Sequence, residues 1–147
     1  MRRALVTLVF LVIVLGGGLA IGAVVRPDGW YAALAKPPFN PPNWVFAPAW
    51  TLLYVMIAVA GARSYERASG FALWVAQLAL NFAWTPAFFL LHRPTLALVI
   101  VVALLAAILI FTRARWTADR VSSLLFLPYA VWVAFATLLN AAIAVLN

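Results

Sequence analysis

Five long apolar runs, separated by short stretches that hold nearly all of the charge, set the pattern of this chain. The runs cover about 4–25, 44–62, 71–91, 95–112 and 121–146, each close to the ~20 residues that a helix rising ~1.5 Å per residue needs to cross a bilayer. Their apolar residues are continuous rather than alternating, which predicts helices and not barrel strands, and in lipid a helix satisfies every backbone group within its own segment. The expected fold is all-α: one domain, 1–147, built as an integral membrane bundle of five transmembrane helices.

The longest interruption, the loop 26–43, is unusual for a connector. Pro37, Pro38, Pro41 and Pro42 fix φ and remove backbone donors, so the segment is stiff without being regular. It carries Trp30 and Tyr31 on one side and runs into Trp44 and Trp50 on the other. It is expected to act as a lid over a cavity in the bundle. Asp28 is placed to cap a short helix through Leu34, and Asn43 to cap the second span.

Periodicity inside the runs points to where that cavity lies. At 100° per residue the third run splits into a small face (Ala72, Ala76, Ala79, Ala83, Ala87) and a polar and aromatic face (Trp74, Gln77, Asn81, Trp84, Thr85, Phe88). The alanine face suits close helix contact, a symmetric copy in a homodimer being the simplest partner. An amide against hydrocarbon is costly, so Asn81 belongs either in an interhelical hydrogen bond or in a cavity. In the fifth run Tyr129, Trp132, Ala136 and Asn140 share a stripe, and in the second Trp50 and Tyr54 are four apart. The spaced small residues of the first run, Gly16, Gly18, Ala20 and Gly22, predict close packing within the chain. The fourth run is featureless and reads as a lipid-facing helix with no site. Counting inward from the span ends puts Trp50, Trp84 and Asn140 about 10 Å deep and Asn81 and Ala136 about 15 Å deep, all on the loop's side. Trp50, Tyr54, Asn81, Trp84, Ala136 and Asn140 therefore converge beneath the loop, with Trp132 on the floor. Trp30, Trp44, Trp74 and Trp116 lie where an interfacial aromatic belt is expected.

Composition reinforces this picture: 68% of the residues are hydrophobic and 9% charged, far from soluble proteins. The +7 charge is a topology signal rather than a nucleic-acid footprint. Arg2, Arg3, Arg63, Arg67, Arg113, Arg115 and Arg120 share one side, against Arg26, Lys36 and Arg93 on the other, which predicts a cytoplasmic N-terminus in a bacterial inner membrane. The first apolar run reaches Val25, longer than a cleaved signal's core. There is no cysteine. The single histidine, His92, falls in a turn and is expected to be solvated. The acids Asp28, Glu66 and Asp119 all lie in loops, so no proton relay, metal centre or nucleophile–base pair is visible, and neither a catalytic residue nor a metal or required cofactor is assigned. What remains is binding: indole faces with a few amides suit a flat, mostly apolar ligand. Arg26 and Lys36 are expected to snorkel toward headgroups.

Five stretches taken in order carry a resemblance: W-Y at Trp30, K-P-x-x-N-P-P-x-W from Lys36, A-W-T-x-x-Y ending at Tyr54, Q-L-x-x-N-x-x-W-x-P-x-F-F from Gln77, and P-Y-x-x-W-x-x-F-A-T-x-L-N from Pro128. The chain resembles the tryptophan-rich sensory protein family, also called translocator protein or peripheral benzodiazepine receptor. The resemblance implies a five-helix bundle, commonly a homodimer, that binds porphyrins such as protoporphyrin IX as ligand and, in many members, benzodiazepine-like drugs. It implies a pocket at Tyr31, Trp50, Tyr54, Asn81, Trp84, Trp132 and Ala136. Some relatives promote light- and oxygen-dependent porphyrin breakdown, for which Trp50 and Trp132 would be the candidates, and a transporter of hydrophobic compounds is the third reading. The chain has no Tyr-Arg sterol motif after its last span, and Phe39 stands where many relatives have tryptophan.

Overall fold

The computed structural model describes residues Met1–Asn147. Helix α1 (Arg2–Val24) leads into the loop, which holds the five-residue α2 (Gly29–Ala33); α3 (Phe46–Glu66), α4 (Phe71–Thr85), α5 (Pro94–Arg115) and α6 (Arg120–Leu146) follow. Five of these elements are long and apolar enough to cross a membrane. The molecule is an integral, multi-pass membrane protein.

In the bundle α1 lies along α3, α3 along α6, α6 along α5 and α5 along α4. The ring closes loosely, because α4 touches α1 and α3 only sparingly. That slack joint positions the site. The featureless fourth span, α5, turns Val99, Val102, Leu109 and Ile110 outward, as a lipid-facing helix would, but it is also wedged between α4 and α6, with Val101, Leu104, Ile108 and Phe111 fully buried. Uniform apolarity reads the same whether the neighbour is lipid or another helix, so hydropathy cannot separate the two.

Glycines decide two of the closest approaches. The Trp74 indole lies where a side chain on Gly61 would be, and its Nε1 donates to the Ile57 carbonyl at 2.8 Å. Trp74 is therefore a core residue, 3% exposed, and not part of an interfacial belt. A buried indole needs an acceptor for its N–H, and a kept helix carbonyl supplies it. Gly18 likewise admits the Tyr54 ring, as the small-residue spacing of α1 predicts.

Pro86 shapes the end of the third span. Lacking an N–H, it cannot continue the helical ladder, and Pro86–Leu90 winds as a wider π turn closed by Leu91 N–H to Pro86 O at 2.9 Å. This turns Ala87 away from the other alanines: it packs with Tyr31, Phe88, Ala97 and Ile143, while Ala72, Ala76, Ala79 and Ala83 stay on the outer face. Asn43 does not cap the second span. A 3₁₀ turn, Asn43–Val45, intervenes, and α3 starts at Phe46 without a side-chain cap. Pro48, in the first turn, costs no hydrogen bond there.

The end away from the loop is closed by charge. Arg63 grips Asp119 through Nε, at 3.2 Å to both carboxylate oxygens, and through Nη2 at 2.7 Å; Ser122 Oγ donates at 2.6 Å. Burial alone would raise the Asp119 carboxyl, but the hydrogen bonds from Arg63 and Ser122 and the Arg63 charge outweigh it and bring it down to about 2.

Candidate functional site

The lid is assembled from local rules. Asp28 Oδ1 accepts the Tyr31 N–H at 3.2 Å and so caps α2. That backbone donor is the main reason the Asp28 carboxyl sits below its ordinary range, with His92 adding to it. The histidine is partly exposed, as expected, but it is also a tether: Nε2 lies 3.2 Å from Asp28 Oδ2 and the ring stacks on Trp30 at 4.3 Å. Lys36 does not snorkel outward. Its Nζ folds back to the carbonyls of Ala32 and Leu34 and over the Tyr31 ring, 4.6 Å from the centroid, so the lysine stiffens the lid. A second tether joins the lid to the end of α6, where Asn147 Oδ1 accepts the Ala35 N–H at 3.1 Å and Asn147 Nδ2 donates to Ala35 O at 2.9 Å.

Beneath this roof, between α1, α3 and α4, lies a cavity of about 310 Å³. Tyr31 covers it, Trp50 and Tyr54 form its α3 wall, and Trp84 its α4 wall. No charged side chain lines it; its polar lining residues are Tyr31, Tyr54, Thr51, Thr85 and Asn43, beside the indoles of Trp50 and Trp84. A smaller void of about 30 Å³ adjoins it behind Tyr31 and Trp84 and is lined by Ala136 and Asn140.

Trp50 is the hub of the aromatic wall. Its ring centroid lies 5.5 Å from Tyr54, 6.5 Å from Trp84, 6.4 Å from Tyr129 and 6.4 Å from Trp132, the last at 90°. Tyr129 and Trp132 meet it edge-to-face, Tyr54 and Trp84 at tilts of 32° and 33°, and such contacts favour particular ring orientations. Trp84 is fixed further: its Nε1 donates to Asn140 Oδ1 at 3.0 Å, and Asn140 Nδ2 donates to Pro94 O at 2.8 Å, which ties α4, α6 and α5 together. Both functions of the buried Asn140 amide are thereby used.

Of the seven residues singled out from sequence, Tyr31, Trp50, Tyr54 and Trp84 line the main cavity and Ala136 the adjoining void. Asn81 lines neither. It is 4% exposed and its Nδ2 donates to Tyr129 Oη at 2.7 Å, while the Tyr129 hydroxyl donates to Gln77 Oε1 at 2.8 Å. The choice left open for Asn81 resolves to the interhelical bond, one layer below the cavity. Trp132 stands behind Trp50, in edge contact with Phe46 at 6.0 Å, and its Nε1 has no partner. The wall not expected from the sequence is α1: Gly18, Gly22 and Val25 face the cavity. The glycine spacing carried that signal, but it reads equally as helix packing. At Gly22 a Cβ would meet nothing within 4 Å, so there the small residue leaves space rather than admitting a neighbour.

The fold and cavity can be set beside known proteins. The TspO/MBR family model matches residues 6–146. Protein CrtK of Rhodobacter capsulatus is 38% identical over 135 residues, covering 87% of this chain and 84% of that protein. The tryptophan-rich sensory protein of Cereibacter sphaeroides is 41% identical over 128 residues, 85% of this chain and 81% of its own. The translocator protein of Bos taurus is 35% identical over 135 residues, 84% and 79% of the two chains.

Proposed function

The chain belongs to the TspO/MBR family, and on that premise we propose that it is a membrane receptor, or sensor, that binds porphyrins such as protoporphyrin IX and benzodiazepine-like hydrophobic molecules in the cavity under the lid, and so regulates tetrapyrrole levels or a stress response. The observation that carries this reading is the uncharged cavity walled by Trp50, Tyr54 and Trp84 and roofed by Tyr31. Rigid aromatic faces with a few hydroxyls favour a flat apolar ligand over a charged one. At about 310 Å³ the space is at the lower end for drug-sized ligands, roughly 300–1,000 Å³. That size suits a small fused-ring molecule better than a tetrapyrrole, and on this reading a tetrapyrrole would need the sparse joint between α1 and α4 to widen. We place the protein in a bacterial inner membrane with its N-terminus in the cytoplasm, from the arginine asymmetry. We also assign the exposed alanines Ala72, Ala76, Ala79 and Ala83 to a homodimer contact.

Titration of purified protein with protoporphyrin IX, followed by tryptophan quenching, tests the site. Trp50→Phe and Trp84→Phe are expected to weaken binding about tenfold, the value of one or two stacking contacts. Unchanged affinity in both removes the cavity assignment. Illumination of the complex in air separates binder from enzyme: a new absorbing product lost in Trp50→Phe and Trp132→Phe would favour the porphyrin-degrading reading. Flux into sealed liposomes would favour a transporter.

A further inference from the structure

The end of the bundle opposite the lid holds a cation without a counter-charge. Arg115, the last residue of α5, is 4% exposed, yet no carboxylate lies within 4 Å of it: Asp119 is taken by Arg63 and Arg67, and Glu66, whose Oε1 is buried without a partner, makes no ion pair. A guanidinium carries several N–H donors in a fixed fork. The protein accepts from one nitrogen, Nη1, through Ser69 Oγ, and Nε is buried with no acceptor at all. Nη2 has no partner and is not among the buried atoms, so this nearly buried charge still presents one donor to an approaching anion, which would offset the cost of its burial.

The N-terminus of α4 meets Arg115 at the same point. Its cap, Gly70, has φ 76° and supplies no side-chain acceptor, and the first bond of the helix is Trp74 N–H to Gly70 O at 3.1 Å. The amides of Phe71, Ala72 and Leu73 are thus free, at the positive end of a 15-residue helix. A Cβ on Gly70 would sit 2.8 Å from Arg115 Cδ and 3.4 Å from its Nε, so the guanidinium lies directly against the cap. The exposed Arg113 adds to the positive field.

We propose that Arg115, Ser69 and the first-turn amides of α4 form a phosphate-binding site at this face of the membrane. A phosphate offers several acceptor oxygens to a guanidinium fork, a hydroxyl and backbone amides together, which a single carboxylate does not. The ends of α4 and α5 stand at headgroup depth, so the phosphate comes either from an anionic phospholipid or from a soluble phosphate compound. The site is separate from the cavity and independent of what the cavity binds.

Thermal melting of the full chain decides it, in nanodiscs of phosphatidylcholine with or without phosphatidylglycerol, and in detergent with inorganic phosphate against chloride at equal ionic strength. Stabilisation by phosphatidylglycerol alone assigns a lipid headgroup; stabilisation by inorganic phosphate in detergent assigns a soluble phosphate; either supports the site. Arg115→Gln is expected to weaken the response about tenfold, the worth of one charge-assisted contact. Ser69→Asp brings a carboxylate to both Arg115 and the α4 N-terminus, and is expected to melt higher than wild type while losing the response to phosphate. No response in wild type, or a response that persists undiminished in Ser69→Asp, overturns the proposal. The second of these outcomes decides even where Arg115→Gln does not fold, and protoporphyrin titration of Ser69→Asp is expected to match wild type.

Discussion

The two ends of this bundle solve opposite problems with different chemistry. At the far end, charge is spent on closure: Asp119 is gripped by Arg63 and Ser122, and Trp74 seats its indole against Gly61 with its N–H on Ile57 O. Under the lid, neutral hydrogen bonds hold aromatic rings apart. The Trp84–Asn140–Pro94 chain and the Asn81–Tyr129–Gln77 chain fix the walls, while Gly22 leaves room unfilled. A binding void survives in a membrane bundle only where its walls are held from behind. Glycine thus acts in two senses, admitting a neighbour at Gly61 and keeping a space at Gly22.

The contrast is broken most severely at Gly61. Gly61→Ala drives a methyl into the Trp74 indole, which its hydrogen bond prevents from retreating, and is expected to cost about 3 kcal/mol in thermal or denaturant unfolding, at the top of the overpacking range. Gly22→Leu is the counterpart: stability within about 0.5 kcal/mol, since surface-like positions tolerate change, but ligand binding lost. Equal destabilisation by the two would erase the distinction.

Asp119→Asn comes next, at about 2 kcal/mol, moderated because Arg63 is partly exposed. Its pH dependence has a definite sign. The folded carboxyl titrates at about 2 against an ordinary 3.8, so its contribution is complete above about pH 4 and is lost as the pH falls toward 2. Acid melting curves of the Asn variant should be flatter in that window, with porphyrin affinity at neutral pH unchanged. A change in affinity would mean that the two ends are coupled.

Trp84→Phe leaves the Asn140 carbonyl without its donor and is expected to cost about 1 kcal/mol, together with the loss of ligand affinity. Asn147→Ala is the mildest. Releasing the lid from α6 should change stability by about 0.5 kcal/mol and speed ligand dissociation about threefold in stopped-flow quenching. An unchanged off-rate would show that the Asp28–His92–Trp30 tether holds the lid alone.

Much of this was legible in the residues themselves. Hydropathy gives the five spans, and depth counting brings Trp50 and Trp84 to one level beneath the proline-rich loop, with Tyr54 a helical turn further in; all three line one cavity. Asp28 announces its cap. What stayed hidden shares a cause: a residue type with two uses. Trp74 sits near a span end, as a belt residue would, and only the neighbouring Gly61 reveals that it turns inward. Asn81 carries the same buried-amide signal as Asn140, but the hydroxyl that satisfies it comes from Tyr129, 48 residues away. The α1 wall is written in glycines that packing alone would explain. Pro86 marks a break, but not that the chain would continue as a π turn and carry Ala87 off the alanine face.

The most direct test of the central claim is a structure of the protein with protoporphyrin IX bound. The macrocycle is expected beneath Tyr31, against Trp50 and Trp84, with α1 and α4 parted along Gly18 and Gly22. A macrocycle on the outer alanine face, with the cavity under the lid unchanged, would contradict it.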